Sequence, residues 1–345
     1  MSVQLETERE VDPGIIVLDT KVPDKVIWPI AGGKGGTGKS TIAANLGVGL
    51  SLLGYKVVLV DGDLGGADLH LFFDQIAPPK SLNNFLSREV DKLEDVMLTT
   101  PQENLKLICG GNEMVSLANI PFLTKEKLKR HIKKLDADFV LIDLGAGTSY
   151  NTLDLFSLSE EGIIVCTPEP HARVDAYGFL KNMVYRKLQR HFSKNIPIKA
   201  TIDRFARQGG RRTGRMRELV EQLLKQDPMA GREAVDLLAT FKPKLILNQV
   251  RNKRQVDQVQ RFIELVKEYL STEMEFVGYV RRDTRFLEAC ERRRPLLIDF
   301  PKTSAARDLC DLLMIGLRID DRLHRFAASH FRKMAEVAKA SAKFW

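Results

Sequence analysis

The sequence predicts a three-layer α/β/α fold built on a mainly parallel twisted sheet, and three observations lead to it. Short apolar runs suited to buried strands alternate with stretches of helical periodicity. One run opens into a glycine-rich turn followed by a helical pattern, and two others end in aspartates. Such alternation gives right-handed crossovers and parallel pairing. With 345 residues, 44% hydrophobic and 28% charged, the chain can bury one large core plus an elaboration, or two modest domains.

Taken in order, residues 1–24 are polar, with Glu6, Glu8, Glu10, Asp12 and Pro13, and read as an arm that can add an edge strand at Gly14–Leu18. Lys25–Ala31 is the first buried strand; Pro29 is an irregularity there, since a central strand rarely holds proline. From Thr41 to Leu53, Ile42, Leu46, Val48, Leu50 and Leu53 follow a helical pattern. Lys56–Val60 forms the second strand and runs into Asp61, Gly62 and Asp63. Leu105–Cys109 is the third, stopped by Gly110 and Gly111, after which Thr124 can cap a basic helix reaching about Leu135. Phe139–Ile142 closes on Asp143 as the fourth strand. Gly162–Thr167, Lys244–Leu247 and Met274–Val280 complete a set of seven.

More chain separates Arg190 from Lys244 than a crossover needs, so residues 191–243 are expected to hold an insertion. Met216, Leu219, Val220, Leu223 and Leu224 make one apolar helical stripe and Ala234, Leu237, Leu238 and Phe241 a second, with Asp227 and Pro228 between them. This predicts a helical hairpin. The domain reading is therefore an arm at 1–24, a main α/β domain at 25–320 carrying that insertion, and a terminal amphipathic helix at 321–345.

The chemistry begins at Gly33–Thr41, which reads GKGGTGKST. Gly33, Gly38, Lys39 and Ser40 satisfy the phosphate-loop pattern GxxxxGK[ST]. In such a loop the backbone of Gly33, Gly35, Gly36, Thr37, Gly38 and Thr41 surrounds phosphates at a helix N-terminus, and glycine permits the close approach. Lys39 reaches the β and γ phosphates and the Ser40 hydroxyl sits on Mg2+. The flanking strand and helix are what the motif demands. Asp143, ending an apolar strand, fits the carboxylate that balances Mg2+ beside the phosphates, and Gly145 and Gly147 after it let a switch loop form. A capping aspartate is the bland alternative. ATP and Mg2+ are the expected ligands.

Three segments together resemble the MinD/ParA-type ATPases of the deviant Walker A class: Gly33–Thr41, Val60–Asp68 and Asp138–Gly147. Further similarity lies in Thr167–Pro170 with Asp175–Tyr177, Leu247–Val250, and Gly278–Asp283 leading to Arg294–Leu296. The resemblance spans roughly 25–190 and 243–315 and is nearest to the MinD and FlhG branch, whose members use ATP to set the place or number of cellular structures. It implies that Lys34, the surplus lysine of the loop, reaches across an ATP-dependent homodimer to the partner's phosphates. Within one subunit Lys34 and Lys39 would repel unless phosphates lie between or beyond them. The resemblance also makes Asp63 the residue that orients the attacking water, and Asp61 a support for magnesium hydration or for the switch conformation. Asn248 is the candidate contact for adenine, since an amide can donate to and accept from the base edge; a plain strand-end turn is the alternative. Two departures stand out: Asp68 replaces the family's usual asparagine, and no proline follows the last strand, which reads Val280, Arg281, Arg282, Asp283.

The net charge of +8 suits an acidic partner. Arg204, Arg207, Arg211, Arg212, Arg215 and Arg217 cluster around Gly209 and Gly210, a basic set for DNA or an acidic protein, with a solvated loop as the alternative. Residues 321–345 place Leu323, Phe326, Ala327, Phe331, Met334 and Ala338 near one helical face among arginines and lysines. That pattern suits an anionic membrane surface, although packing on the domain itself competes. No run is long enough for a membrane span and no signal peptide opens the sequence, so a cytoplasmic location is expected, peripheral on the inner membrane face if the terminal helix binds there. Cys109, Cys166, Cys290 and Cys310 form no CxxC pair and read as buried small apolar residues. The expected function is a switch ATPase positioning or numbering a structure such as a division site or flagellum, aided by an unidentified activating or cargo protein. The alternatives are a ParA-like ATPase partitioning DNA, or a metallocluster carrier or reductase on the same fold.

Overall fold

The computed structural model describes residues 25–63, 65–111, 120–208 and 216–319. The expected arm at 1–24 and terminal helix at 321–345, together with Arg211, Arg212 and Arg215, lie outside them.

An eight-stranded sheet runs β3-β4-β2-β5-β1-β6-β7-β8. Its strands are β1 Val26–Ala31, β2 Val57–Gly62, β3 Met97–Thr99, β4 Leu105–Ile108, β5 Phe139–Leu144, β6 Ile163–Cys166, β7 Lys244–Val250 and β8 Glu275–Arg281. All pair in parallel except β3, which lies antiparallel to β4. The seven expected strands are present. β3, three residues long and half exposed, carries too short a pattern to be read from sequence.

Alternate residues of the same strands feed two cores, one on each face of the sheet. Val58, Val60, Val140, Ile142 and Ile164 enter one; Val57, Leu59, Leu141, Ile163 and Val165 enter the other. Burial on both faces is why these strands are continuously apolar. Pro29 fits because β6 joins β1 only from Ile30 onward, so the missing N–H falls ahead of that ladder.

The helices are α1 Lys39–Leu52, α2 Leu82–Leu86, α3 Phe122–Lys134, α4 Tyr150–Phe156, α5 Pro170–His191, α6 Ile196–Gln208, α7 Met216–Gln226, α8 Pro228–Thr240, α9 Lys253–Asp257, α10 Val259–Leu270, α11 Arg285–Glu291, α12 Leu296–Asp299 and α13 Ser304–Asp311. Residues of α1, α12 and α13 cover one face, and those of α3, α4, α5, α10 and the insertion cover the other. The basic helix after β4 starts at Phe122, with Pro121 at its N-cap. Thr124 is thus inside the first turn and is not the cap: Pro121 already supplies the extended residue that a helix start requires.

The insertion holds three helices, not a hairpin. α7 and α8 are the expected pair, joined where Asp227 Oδ1 accepts from Met229 N and Ala230 N at 2.9 and 3.2 Å. α6 precedes them, capped by Asn195, whose Oδ1 accepts from Ile198 N at 3.3 Å, and it buries Ile198 and Ile202. The i, i+4, i+7 spacing of Ile198, Ile202 and Phe205 was a readable signal for it.

Candidate nucleotide site

β1 delivers the chain into the glycine loop at the carboxyl edge of the sheet, where β2 and β5 also end. Gly36 and Gly38 have φ of 79° and 86°, a left-handed conformation that favours glycine. Gly38 is the N-cap of α1, and no acidic residue in the first turn opposes the positive end of the helix. Lys39 is buried there. Lys34, Gly35 and Gly36 are exposed, and among the described residues Lys34 makes no hydrogen bond or ion pair. At Gly33 a Cβ would lie 2.1 Å from the carbonyl carbon of Asp175, so the loop is pressed against the first turns of α5.

The end of β7 straps the same loop. Asn248, 4% exposed, donates from Nδ2 to the Thr37 carbonyl at 2.9 Å, while its Oδ1 accepts from Gln249 N at 2.9 Å. Gln249, held at φ 60°, donates from Nε2 to the Gly36 carbonyl at 3.2 Å. Asn248 was expected to face the adenine edge; the structure turns its amide to the phosphate loop. Gln249 was missed altogether, because only the fold brings it over Gly36. Replacing Asn248 with alanine should weaken nucleotide affinity by about tenfold, the cost of leaving the Thr37 carbonyl without its donor. Titration calorimetry with ADP checks this, and unchanged affinity would show that the strap is dispensable.

Asp61 and Asp143 are register partners on the adjacent strands β2 and β5. Both are buried. Burial pushes the Asp61 carboxyl well above the usual range, and the neighbouring Asp143 adds to the shift. Asp61 Oδ1 accepts from Asp63 N and its Oδ2 from Leu69 N, both at 3.1 Å. Both oxygens therefore pin the backbone after β2. Gly110 makes room, since a Cβ there would meet Asp61 Cγ at 3.0 Å.

Asp143 is different. Burial raises its carboxyl to about 7 despite the Ser40 hydroxyl hydrogen bond and the Lys39 charge, which pull the other way. Its Oδ1 is buried without a hydrogen-bond partner, as is Thr37 Oγ1. Unsatisfied buried oxygens of this kind invite a ligand. A carboxylate and a hydroxyl are hard donors that suit Mg2+, and among the described residues no group of three or more His, Cys, Asp or Glu is placed to hold a metal. A cation here would draw its remaining oxygens from phosphate and water, as Mg2+ does.

Asp63 bridges the two loops. Its Oδ1 accepts from Gly65 N at 3.2 Å, and a Cβ on Gly145 would lie 2.8 Å from the same oxygen. Asp68 is exposed, at the start of the short turn Leu69–Phe73, with no capping bond from its side chain. Where the family's proline is absent, Arg281 N donates to Asp308 Oδ2 at 2.9 Å, a bond proline lacks, and its guanidinium grips the same carboxylate. Cys109, Cys166 and Cys310 are buried as expected, whereas Cys290 is exposed.

A glycine loop between a central strand and a helix, with carboxylates ending the neighbouring strands, defines a phosphate-loop nucleotide-binding protein. The chain belongs to the family of the CobQ/CobB/MinD/ParA nucleotide binding domain, which it matches over residues 28–296. It is 36% identical over 149 residues to an uncharacterized ATP-binding protein of Methanocaldococcus jannaschii, covering 43% of this chain and 54% of that protein. It is 33% identical over 154 residues to the flagellum site-determining protein YlxH of Helicobacter pylori, covering 44% and 51%. The chain spans about half the length of the curated relatives it matches. The septum site-determining protein MinD of Pyrococcus horikoshii, solved with Mg-ADP, shares the fold at a TM-score of 0.57 and 24% identity, covering 84% of this chain and 94% of that one.

Proposed function

We propose that the protein is a Mg-ATP-dependent dimerising switch that hydrolyses ATP to position or number a cellular structure, such as a division site or a flagellum. The observation that carries this reading is the division of labour between two lysines in one loop. Lys39 is buried beside Asp143, while Lys34 points its charge to solvent without a partner among the described residues. A lone nucleotide already has its lysine in Lys39, so the second cation suits phosphates held by another subunit. The similarity to flagellum and septum site-determining proteins supports the positioning task.

In this reading Lys39 neutralises the β and γ phosphate oxygens, while the backbone from Gly33 to Thr41 surrounds them. Ser40 and Asp143 hold Mg2+, which supplies charge compensation for the phosphates. Asp63 orients water toward the γ-phosphorus, and the cleavage releases ADP and phosphate. Because Asp63 touches the loop after β5 and Asp61 pins the loop after β2, loss of the γ-phosphate relaxes both together. An activating or cargo protein completes the cycle. In this reading the protein is cytoplasmic and peripheral at the membrane through residues 321–345; no described helix is long and apolar enough to cross a membrane.

The metallocluster alternative draws no support from the thiols. Cys109, Cys166 and Cys310 are buried within the cores on the two faces of the sheet, where burial pushes each thiol up to about 12, and Cys290 is exposed. The test of the proposal is oligomeric state by light scattering after gel filtration, with ATP, with ADP and without nucleotide. Dimers with ATP alone are expected. A protein that binds ATP and stays monomeric overturns the switch.

A further inference from the structure

We propose that Gln249 is a positioning residue for phosphate binding: it fixes the peptide between Gly36 and Thr37 so that the Thr37 N–H is aimed at a phosphate oxygen. The inference rests on the phosphate site read above and not on dimerisation.

The side chain is placed by an irregularity in the sheet. Leu247 is in register with Tyr279 and Val250 with Arg281, so two residues of β7 stand opposite one of β8. Such a bulge re-aims a side chain. Gln249 lies in it at φ 60°, the left-handed region that a residue with a Cβ adopts only at a cost. Its N–H donates to Asn248 Oδ1 at 2.9 Å, and its Nε2 reaches the Gly36 carbonyl, 213 positions earlier, at 3.2 Å.

That grip decides where a donor points. The described peptide bonds are all trans, so the carbonyl and the N–H of one peptide point in opposite directions. Gln249 draws the Gly36 carbonyl toward β7, and Asn248 does the same to the Thr37 carbonyl. The N–H groups of Thr37 and Gly38 are therefore turned away from β7, side by side at the N-terminus of α1. Neither has an acceptor among the described residues. Two adjacent unpaired donors at a helix start form a cradle for an anion.

Among the described residues only Gln249 holds the Gly36 carbonyl. Gly36 is exposed, and a Cβ on it would meet no atom within 4 Å, so packing does not fix this peptide. Glycine makes rotation of the peptide easy. A half turn would present the carbonyl oxygen to the phosphate in place of the N–H, exchanging attraction for repulsion.

The experiment titrates the full chain calorimetrically with ADP and with inorganic pyrophosphate, each with Mg2+. Gln249→Gly removes the amide and suits the left-handed backbone. Gln249→Asn keeps an amide that is one methylene too short, and Gln249→Glu keeps the length without the donor. Each variant should weaken ADP and pyrophosphate by the same factor, about tenfold for glycine and asparagine and more for glutamate. The melting temperature of Gln249→Gly without ligand should stay within about 4 °C of wild type. Equal factors place the loss at the phosphates, because pyrophosphate has neither base nor ribose. A loss for ADP alone assigns Gln249 to the nucleoside and overturns the proposal. So do unchanged affinities, or a loss that comes with a larger fall in melting temperature, which makes Gln249 a residue of stability only. Wild type that binds neither ligand removes the phosphate site and the proposal with it. Wild type that stays monomeric in ATP, with equal losses in the variants, sinks the switch and bears out the positioning role.

Discussion

Replacing Lys34 with alanine should leave nucleotide bound to each monomer and eliminate the ATP-dependent dimer. The side chain is exposed and makes no described contact, so its removal costs the isolated fold nothing that the structure displays. A lysine on a phosphate across a desolvated interface is a charge-assisted contact, and losing it at two symmetric sites is worth about 3 kcal/mol or more, hence at least ~100-fold in dimer affinity. Lys39→Ala should behave oppositely, losing nucleotide first, because Lys39 is buried in the loop. Sedimentation velocity with ATP distinguishes the two. Dimers of unchanged affinity in Lys34→Ala would place that lysine outside the interface and leave the loop with a cation that serves no phosphate.

Asp154→Ala should lower the melting temperature by about 10 °C. Asp154 is fully buried on α4, where it accepts from Lys125 Nζ at 2.7 Å, Arg186 Nε at 2.8 Å and Nη2 at 2.9 Å, and Arg190 Nη1 at 3.0 Å. One carboxylate thus ties α3, α4 and α5 together. Removing it leaves a buried lysine and two arginines facing one another, a loss of about 3 to 5 kcal/mol. The acid response follows from the same contacts. Burial alone would raise the carboxyl, but the hydrogen bonds and charges of Arg186 and Lys125 overcome it and hold the group at about 2. With the folded value below the ordinary 3.8, the stabilisation is complete above that pH and is lost as pH falls toward 2; it amounts to about 2 kcal/mol at neutrality. Thermal melts between pH 2 and pH 7 check this. The alanine variant should show a shallower acid decline, and an identical slope would remove Asp154 as its source.

The pair of strand-end carboxylates was partly legible. Asp61 and Asp143 end apolar runs, so their place at the carboxyl edge of the sheet followed from the strand pattern. Their difference in hydrogen bonding did not. Both are buried carboxylates on neighbouring strands, yet Asp61 spends its oxygens on Asp63 N and Leu69 N while Asp143 Oδ1 stays unpaired. Which backbone N–H groups curl back toward a side chain depends on the path of the loop, and that path carries no periodicity.

What the sequence by itself determined are the features written in neighbouring residues: alternation of apolar runs with helical stripes, the glycine loop with its two lysines, and the insertion between α5 and β7. Local propensity and spacing encode these, so they are readable before any folding is considered. The tertiary structure decided the rest. Asn248 and Gln249 strap a loop that lies 211 and 213 positions earlier, Asp175 presses on Gly33, and Asp154 gathers cations from two other helices. Such contacts join residues whose separation along the chain leaves no pattern, because each exists only once the sheet order has fixed which strand ends and helix faces meet. The two lysines show the boundary. Their presence in one loop was plain from the sequence, but that Lys39 is buried beside Asp143 while Lys34 is left to solvent was settled by the left-handed turns at Gly36 and Gly38 and by the packing around them.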